Sequence, residues 1–246
     1  NAVKRRAVKL VKKFNIKKGD VVAILSNNTP DFIKSYFAIL SQGAKVLMLD
    51  TGLSEIERLN MMKKTNCKLA LSQKSYFIDS DIEMFDIESI DTESEKDFTP
   101  ADVDIRDLAM LSFTSGSTGT PKIVGLTHSN IVSLGQGVLF YSDVIKPGFI
   151  FYGFLPLYHI YGVVINIIAP LVLKCSLLLQ PVLNPREFLE DFKQYRPHVI
   201  PAVPRVWETF YKKIINSVKE KRKYFLLKTI ISLKGFLKFI GLGFIV

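Results

Sequence analysis

A chain of 246 residues that is 48% hydrophobic and 23% charged can bury the core of one large domain or two small ones, which excludes a disordered tail. Its two cysteines, Cys67 and Cys175, are far apart in apolar settings, which argues against a disulfide framework or thiolate metal site and fits a reducing cytoplasm. The net charge of +10 is uneven, with Lys and Arg crowded into 4–18 and 212–223 and acidic residues into 79–107, and no nucleic-acid motif accompanies the basic helices, so solvated helix faces rather than a nucleic-acid partner are expected.

The first residues are Lys/Arg-rich without the apolar core of a secretory signal, and Asn1 in place of Met points to a natural start further upstream. From Ala2 to Phe14, Val3, Ala7, Leu10, Val11 and Phe14 share one face of a helix. Val21 to Ser26 is a continuous apolar run suited to a buried parallel strand. Asn28-Thr29-Pro30-Asp31 supplies cap residues and an early proline for a helix through Leu40 that Gly43 closes. Val46 to Leu49 reads as a second strand, Ser54 and Glu57 form a capping box for a helix to about Asn66, and Leu69 to Leu71 makes a third strand. This βαβαβ order calls for a parallel sheet covered by helices on both faces.

The acidic stretch Asp79 to Asp107 reads as a surface excursion with one short strand. Leu108 to Phe113 and Ile123 to Leu126 are strands, and Thr127-His128-Ser129-Asn130 starts a helix toward Tyr141, with His128 a helix-start residue rather than a catalyst. Phe149 to Leu155 is the next strand. The apolar run from Val163 to Leu183 is interrupted by Asn166, Pro170, Lys174, Gln180 and Pro181, so a helix and then a strand at Ser176 to Leu179 fit better than a membrane span. Asn184-Pro185 caps a helix through Tyr195, Val199 to Val203 reads as a last strand, and Pro204 begins a long basic helix. His198 carries no functional signal, and three scattered histidines make no zinc site.

Between the two central strands lies TSGSTGTPK, Thr114 to Lys122. It has no acidic side chain; Thr114, Ser115, Ser117, Thr118 and Thr120 offer hydroxyls, Gly116 and Gly119 allow close backbone approach, and Lys122 adds a mobile charge. Successive backbone N–H groups in such a turn suit phosphate oxygens. The Walker spacing fails, because Thr120 and Pro121 separate Gly119 from Lys122, and so does the three-glycine dinucleotide pattern. The stretch resembles the phosphate loop of the adenylate-forming enzymes, which include acyl-CoA synthetases, aryl-CoA ligases, luciferases and peptide-synthetase adenylation domains.

Two further segments resemble that family. Leu155 to Gly162, LPLYHIYG, is similar to its L-P-L-x-H-x-x-G motif, so the resemblance implies that His159 orients the reacting groups and meets the acyl-adenylate. Pro201 to Glu208 is similar to a segment of long-chain fatty acyl-CoA synthetases, with Trp207 a packing residue and Arg205 either reaching an anion or making a surface salt bridge. Ile123 stands where the family commonly has glycine. The family's later elements, including the ribose-holding aspartate and the C-terminal domain with its adenylation lysine, have no counterpart before Val246.

The resemblance therefore implies an α/β fold of open, mostly parallel sheets covered by helices, with residues 1–246 forming a partial N-terminal AMP-binding domain. It implies two steps: a fatty acid carboxylate attacks the α-phosphate of MgATP to give acyl-AMP and pyrophosphate, and CoA thiol then displaces AMP. Lys122 and His159 would be the catalytic residues, with Thr114, Ser115, Gly116, Ser117, Thr118, Gly119 and Lys122 around the ATP phosphates. An acyl carrier protein acceptor and a noncatalytic nucleotide- or membrane-binding fragment remain alternatives. Tyr224 to Val246 could lie on a membrane surface, although its apolar residues cover too wide an arc for an interfacial helix and fit a packing element better. The chain alone is expected to bind ATP weakly and to make no acyl-CoA.

Overall fold

Residues 1–89, 91–114, 122–181 and 185–220 are described in the computed structural model, and the chain divides into two compact units, 1–201 and 202–246. The apolar run expected to be a buried strand is β1, Val21–Leu25, buried along its whole length. With β2 (Lys45–Met48), β3 (Cys67–Ser72), β4 (Glu83–Asp86), β5 (Leu108–Thr114) and β6 (Lys122–Thr127) it forms a six-stranded sheet in the order β4-β3-β1-β2-β5-β6. Every pairing is parallel except β5 with β6, which is an antiparallel hairpin.

Because successive side chains point to opposite faces, the continuous apolar strands serve two cores at once. Val22 and Ile24 of β1, Val46 and Met48 of β2, and Leu69 and Leu71 of β3 pack with α1 (Ala2–Phe14) and α2 (Pro30–Ser41). Val21, Ala23 and Leu25, with Leu47 and Ala70, pack with Met61 and Met62 of α3 (Glu55–Lys64). Burying each such side chain contributes about 1.5–3 kcal/mol. The local signals that start the helices hold. Thr29 Oγ1 accepts from Phe32 N at 3.2 Å, and the Ser54–Glu57 box closes with bonds of 3.3 and 2.9 Å. Gly43, at φ +64, turns the chain out of α2 into β2.

The charged segments depart from expectation. Arg6 and Lys9 are not on a solvated helix face: both are buried, and Val11, expected in the core, is 42% exposed. Arg6 Nε donates to Asp91 at 2.8 Å, its Nη1 donates to Ser35 Oγ at 2.9 Å, and Lys9 pairs with Asp91 at 3.1 Å. The acidic segment is thus more than a surface excursion. The short strand expected in it is β4, at the sheet edge, and what departs is Asp91, which docks on α1 because a buried guanidinium requires a carboxylate partner.

After the hairpin, α4 (His128–Val138) begins with a box in which Thr127 Oγ1 accepts from Asn130 N at 3.2 Å. It is followed by a 3₁₀ turn, Leu139–Tyr141. A two-stranded parallel sheet comes next, β7 (Ile150–Gly153) and β8 (Ser176–Leu179). Its crossover is α5 (Ile160–Val163), a π-helical turn (Val164–Ile168) and α6 (Ala169–Val172). Among the described residues no helix is long and apolar enough to cross a membrane. Helix α7, Pro185–Tyr195, brings Asp191 to the Tyr152 hydroxyl at 2.9 Å; its expected cap, Asn184, lies outside the described residues.

The expected strand at 199–203 is reduced to one bridge, between Val199 and Phe151. Pro201 has no N–H to extend a ladder, which ends the pairing. In the second unit α8 spans Pro204–Glu220, Trp207 on it is 45% exposed, and the segment Tyr224 to Val246 lies outside the described residues.

Candidate active site

In an open α/β sheet, ligands sit beyond the carboxyl ends of the parallel strands, and the candidate residues of the first unit gather at that edge. Thr114, the last residue of β5, stands directly across the hairpin from Lys122, the first residue of β6, and both side chains are exposed. Thr114 and Lys122 therefore bracket the loop. Its members Ser115, Gly116, Ser117, Thr118 and Gly119 lie outside the described residues. Ile123, in the position where a glycine was expected, is exposed on β6 and is accommodated without a bulge there.

His159 projects from the chain that follows β7. It occupies the N-cap position of α5 with extended backbone, its imidazole is exposed, and its N–H donates to Pro156 O at 3.2 Å. A packed core histidine is thereby ruled out. Its ring meets Tyr158 edge-on, with centroids 4.7 Å apart. Burial and then the charge of Asp50, at the end of β2, push the Tyr158 hydroxyl above its ordinary pKa, and that hydroxyl hydrogen-bonds with Asp50 and Thr51.

The turn bearing His159 is fastened to the end of β1 by Asn28. Its Nδ2 donates to Leu155 O at 3.0 Å and to Gln180 O at 3.1 Å, and its Oδ1 accepts from Leu157 N at 2.9 Å. These three bonds bring the carboxyl ends of β1, β7 and β8 together. Gly162 closes the turn from behind: a Cβ there would lie 1.9 Å from Pro156 O.

The other two histidines are placed differently. His128 is the first residue of α4, where burial lowers its pKa against the opposing pull of Asp107. His198 stacks on Phe149 at 4.5 Å and accepts from Ile150 N at 3.2 Å through Nδ1, a packing role. Sequence reading missed Asn28, Asn166, Asp50 and Tyr158. Asn28 stood in a run of cap residues, of which Thr29 is the actual cap, and Asn166 registered only as an interruption of an apolar run. A polar side chain inside such a run is itself a signal of a buried hydrogen-bonded group.

The AMP-binding enzyme family matches residues 1–243. The chain belongs to that family. Within it, this AMP-binding family member is 29% identical over 207 residues to 2-succinylbenzoate–CoA ligase of Bacillus velezensis, covering 82% of this chain and 42% of that protein. It is 31% identical over 151 residues to long-chain-fatty-acid–CoA ligase 5 of Rattus norvegicus, covering 59% of this chain and 22% of the relative. Among solved structures it is similar to o-succinylbenzoate CoA synthetase from Bacillus subtilis in complex with the acyl-adenylate intermediate OSB-AMP. That match has a TM-score of 0.74 at 23% identity and covers 86% of this chain and 56% of that one, a likeness of fold. The chain spans about two fifths of the length of the first of these curated relatives.

No group of three or more His, Cys, Asp or Glu side chains converges as a metal cage among the described residues.

Proposed function

We propose that this family member forms the nucleotide-phosphate and acid-activation part of an acid–CoA ligase. A carboxylate oxygen attacks the α-phosphorus of ATP, the bond to the bridging oxygen breaks, and acyl-AMP and pyrophosphate result. The CoA thiol then attacks the acyl carbon and AMP leaves. The single observation carrying this reading is that the Thr114–Lys122 bracket stands at the carboxyl end of β5, while Asn28, just after the carboxyl end of β1 in the same sheet, fastens the turn that bears the exposed His159. In this reading Lys122 supplies positive charge where the polyphosphate separates, and His159 is assigned to orienting the acid against the nucleotide. Mg²⁺ on the phosphates would add charge neutralisation.

Both curated relatives described above are named as ligases of an organic acid with CoA, which supports the acid–thiol class. A long-chain fatty acid is the favoured acid, on the strength of the Pro201 to Glu208 segment and the likeness to the rat enzyme, and a cytoplasmic site fits the two unpaired cysteines. ATP–pyrophosphate exchange in a full-length protein containing these residues tests both levels. Stimulation by palmitate but not by 2-succinylbenzoate is expected. The reverse preference replaces the substrate, and exchange with neither acid overturns the ligase reading.

A further inference from the structure

Two buried asparagines from separate elements hold one peptide group. Leu155 O accepts from Asn28 Nδ2 at 3.0 Å and from Asn166 Nδ2 at 2.7 Å. Asn28 is 4% exposed and Asn166 1%, so water does not compete for these bonds. Asn28 comes from the connection after β1, 127 positions before Leu155, and Asn166 from the π-helical turn 11 positions after it. Asn28 is fully committed, with Gln180 O on its second N–H and Leu157 N on its oxygen. Asn166 is not: its Oδ1 is buried without a hydrogen-bond partner, which costs free energy that a leucine of similar size would not. The Leu155 carbonyl accounts for an amide at that place, and a π turn is an uncommon element often found beside functional sites.

Beyond the backbone bonds of its own turn, to Pro156 O and from Val163 N, little else holds the His159 side chain. Its imidazole is exposed and its ring contact is the edge of Tyr158, so its position is inherited from the backbone that Asn28 and Asn166 pin two to four residues earlier. We propose that Asn28 and Asn166 are positioning residues for His159, fixing the Leu155–Leu157 backbone so that the imidazole is presented in one place. The proposal rests on the reading of His159 as a residue that meets the reacting acid and nucleotide. A displacement of about 1 Å in such a group can cost about a hundredfold in rate.

The test compares a full-length protein containing these residues with its Asn166→Leu, Asn28→Asp, His159→Ala and double Asn166→Leu/His159→Ala variants. Asn166→Leu keeps the heavy-atom count and branching of the side chain and removes an orphaned oxygen, so it serves even where Asn28→Asp does not fold. Amide hydrogen exchange is read at Leu157 and His159 against Val22, Leu47 and Ala70, and binding of palmitoyl-sulfamoyl-adenosine, a non-hydrolysable acyl-adenylate mimic, is read by calorimetry. Exchange at Leu157 and His159 is expected to rise about tenfold or more with the sheet amides unchanged. Mimic binding is expected to fall toward that of His159→Ala, with no further loss in the double variant. Faster exchange across the whole sheet, unchanged exchange in the turn, or full mimic binding by Asn166→Leu where His159→Ala weakens it, overturns the proposal alone. If the parent binds no mimic, or His159→Ala binds it as tightly as the parent, the reading of His159 falls and the proposal with it.

Discussion

Arg6 and Asp91, 85 positions apart, meet through hydrogen bonds of 2.8 and 3.0 Å from the guanidinium Nε, with both side chains buried. Asp91 also pairs with Lys9 at 3.1 Å and with Lys34 at 3.3 Å, so one carboxylate joins the acidic segment to α1 and α2. Asp91→Ala is expected to lower stability by about 3–5 kcal/mol, because it strands buried cations rather than merely deleting a contact. Urea unfolding measures this, and a loss below about 1 kcal/mol would show that water or Asp31 replaces the carboxylate.

The same carboxylate sets an acid limit. Burial alone would raise the Asp91 pKa, but hydrogen bonding and charge from Arg6, with Lys9 and Lys34, override it and hold the carboxyl below its ordinary value. A lowered folded-state pKa contributes stability that is present above the unfolded value of about 3.9 and is lost as pH falls through the folded value. Melting temperature is therefore expected to drop more steeply with acid below about pH 4 in the parent than in Asp91→Asn. Parallel curves for the two would remove Asp91 from the acid response.

Gly162 and Gly137 make a matched pair. A Cβ on Gly162 would stand 1.9 Å from Pro156 O, whereas one on Gly137, in α4, would meet nothing within 4 Å. Gly162→Ala must displace backbone in the His159 turn and is expected to cost about 1–3 kcal/mol or more. Gly137→Ala is expected to add about 0.5–1 kcal/mol through helix propensity. Thermal melts of the two decide; equal effects would mean that the turn yields freely.

Lys122 faces Thr114 across the hairpin with its ammonium exposed. A charge-assisted contact to phosphate is worth about 1.5–3 kcal/mol, so Lys122→Ala is expected to weaken ATP binding by about ten- to a hundredfold without changing the melting temperature. Calorimetric titration with MgATP reads the first and a thermal melt the second. Unchanged affinity would take Lys122 out of the phosphate site.

His159→Ala is expected to leave stability within about 0.5 kcal/mol of the parent, since an exposed side chain at a helix start supports no core. Exchange activity in the full-length protein should nevertheless fall. A folded variant with full exchange activity would leave His159 as a surface residue, and global unfolding seen by circular dichroism would give it a structural role.

What the sequence alone determined is whatever neighbours within a few positions can decide. The continuous apolar run at Val21–Leu25, the Thr29 and Ser54–Glu57 caps and the Gly43 exit are each settled by side chains one to four residues apart, and all stand in the structure. The character of the loop from Thr114 to Lys122 is likewise a local matter of small and hydroxyl residues without acids. The parallel orientation of β1, β2 and β3 was legible in the βαβαβ order, but the strand order and the hairpin were not: β5 joins β2, and β6 folds back antiparallel. The fate of polar residues inside apolar surroundings was not legible either. Arg6 was read as solvated, Asn28 as a cap and Asn166 as a break in hydropathy, yet each is buried against partners that include, for Arg6 and Asn28, residues 85 or more positions away. Periodicity reports which face of an element is apolar, but a buried amide or guanidinium is stabilised only by the particular acceptor that folding brings to it. That acceptor is chosen by the packing of the sheets, and so only the tertiary structure decided it.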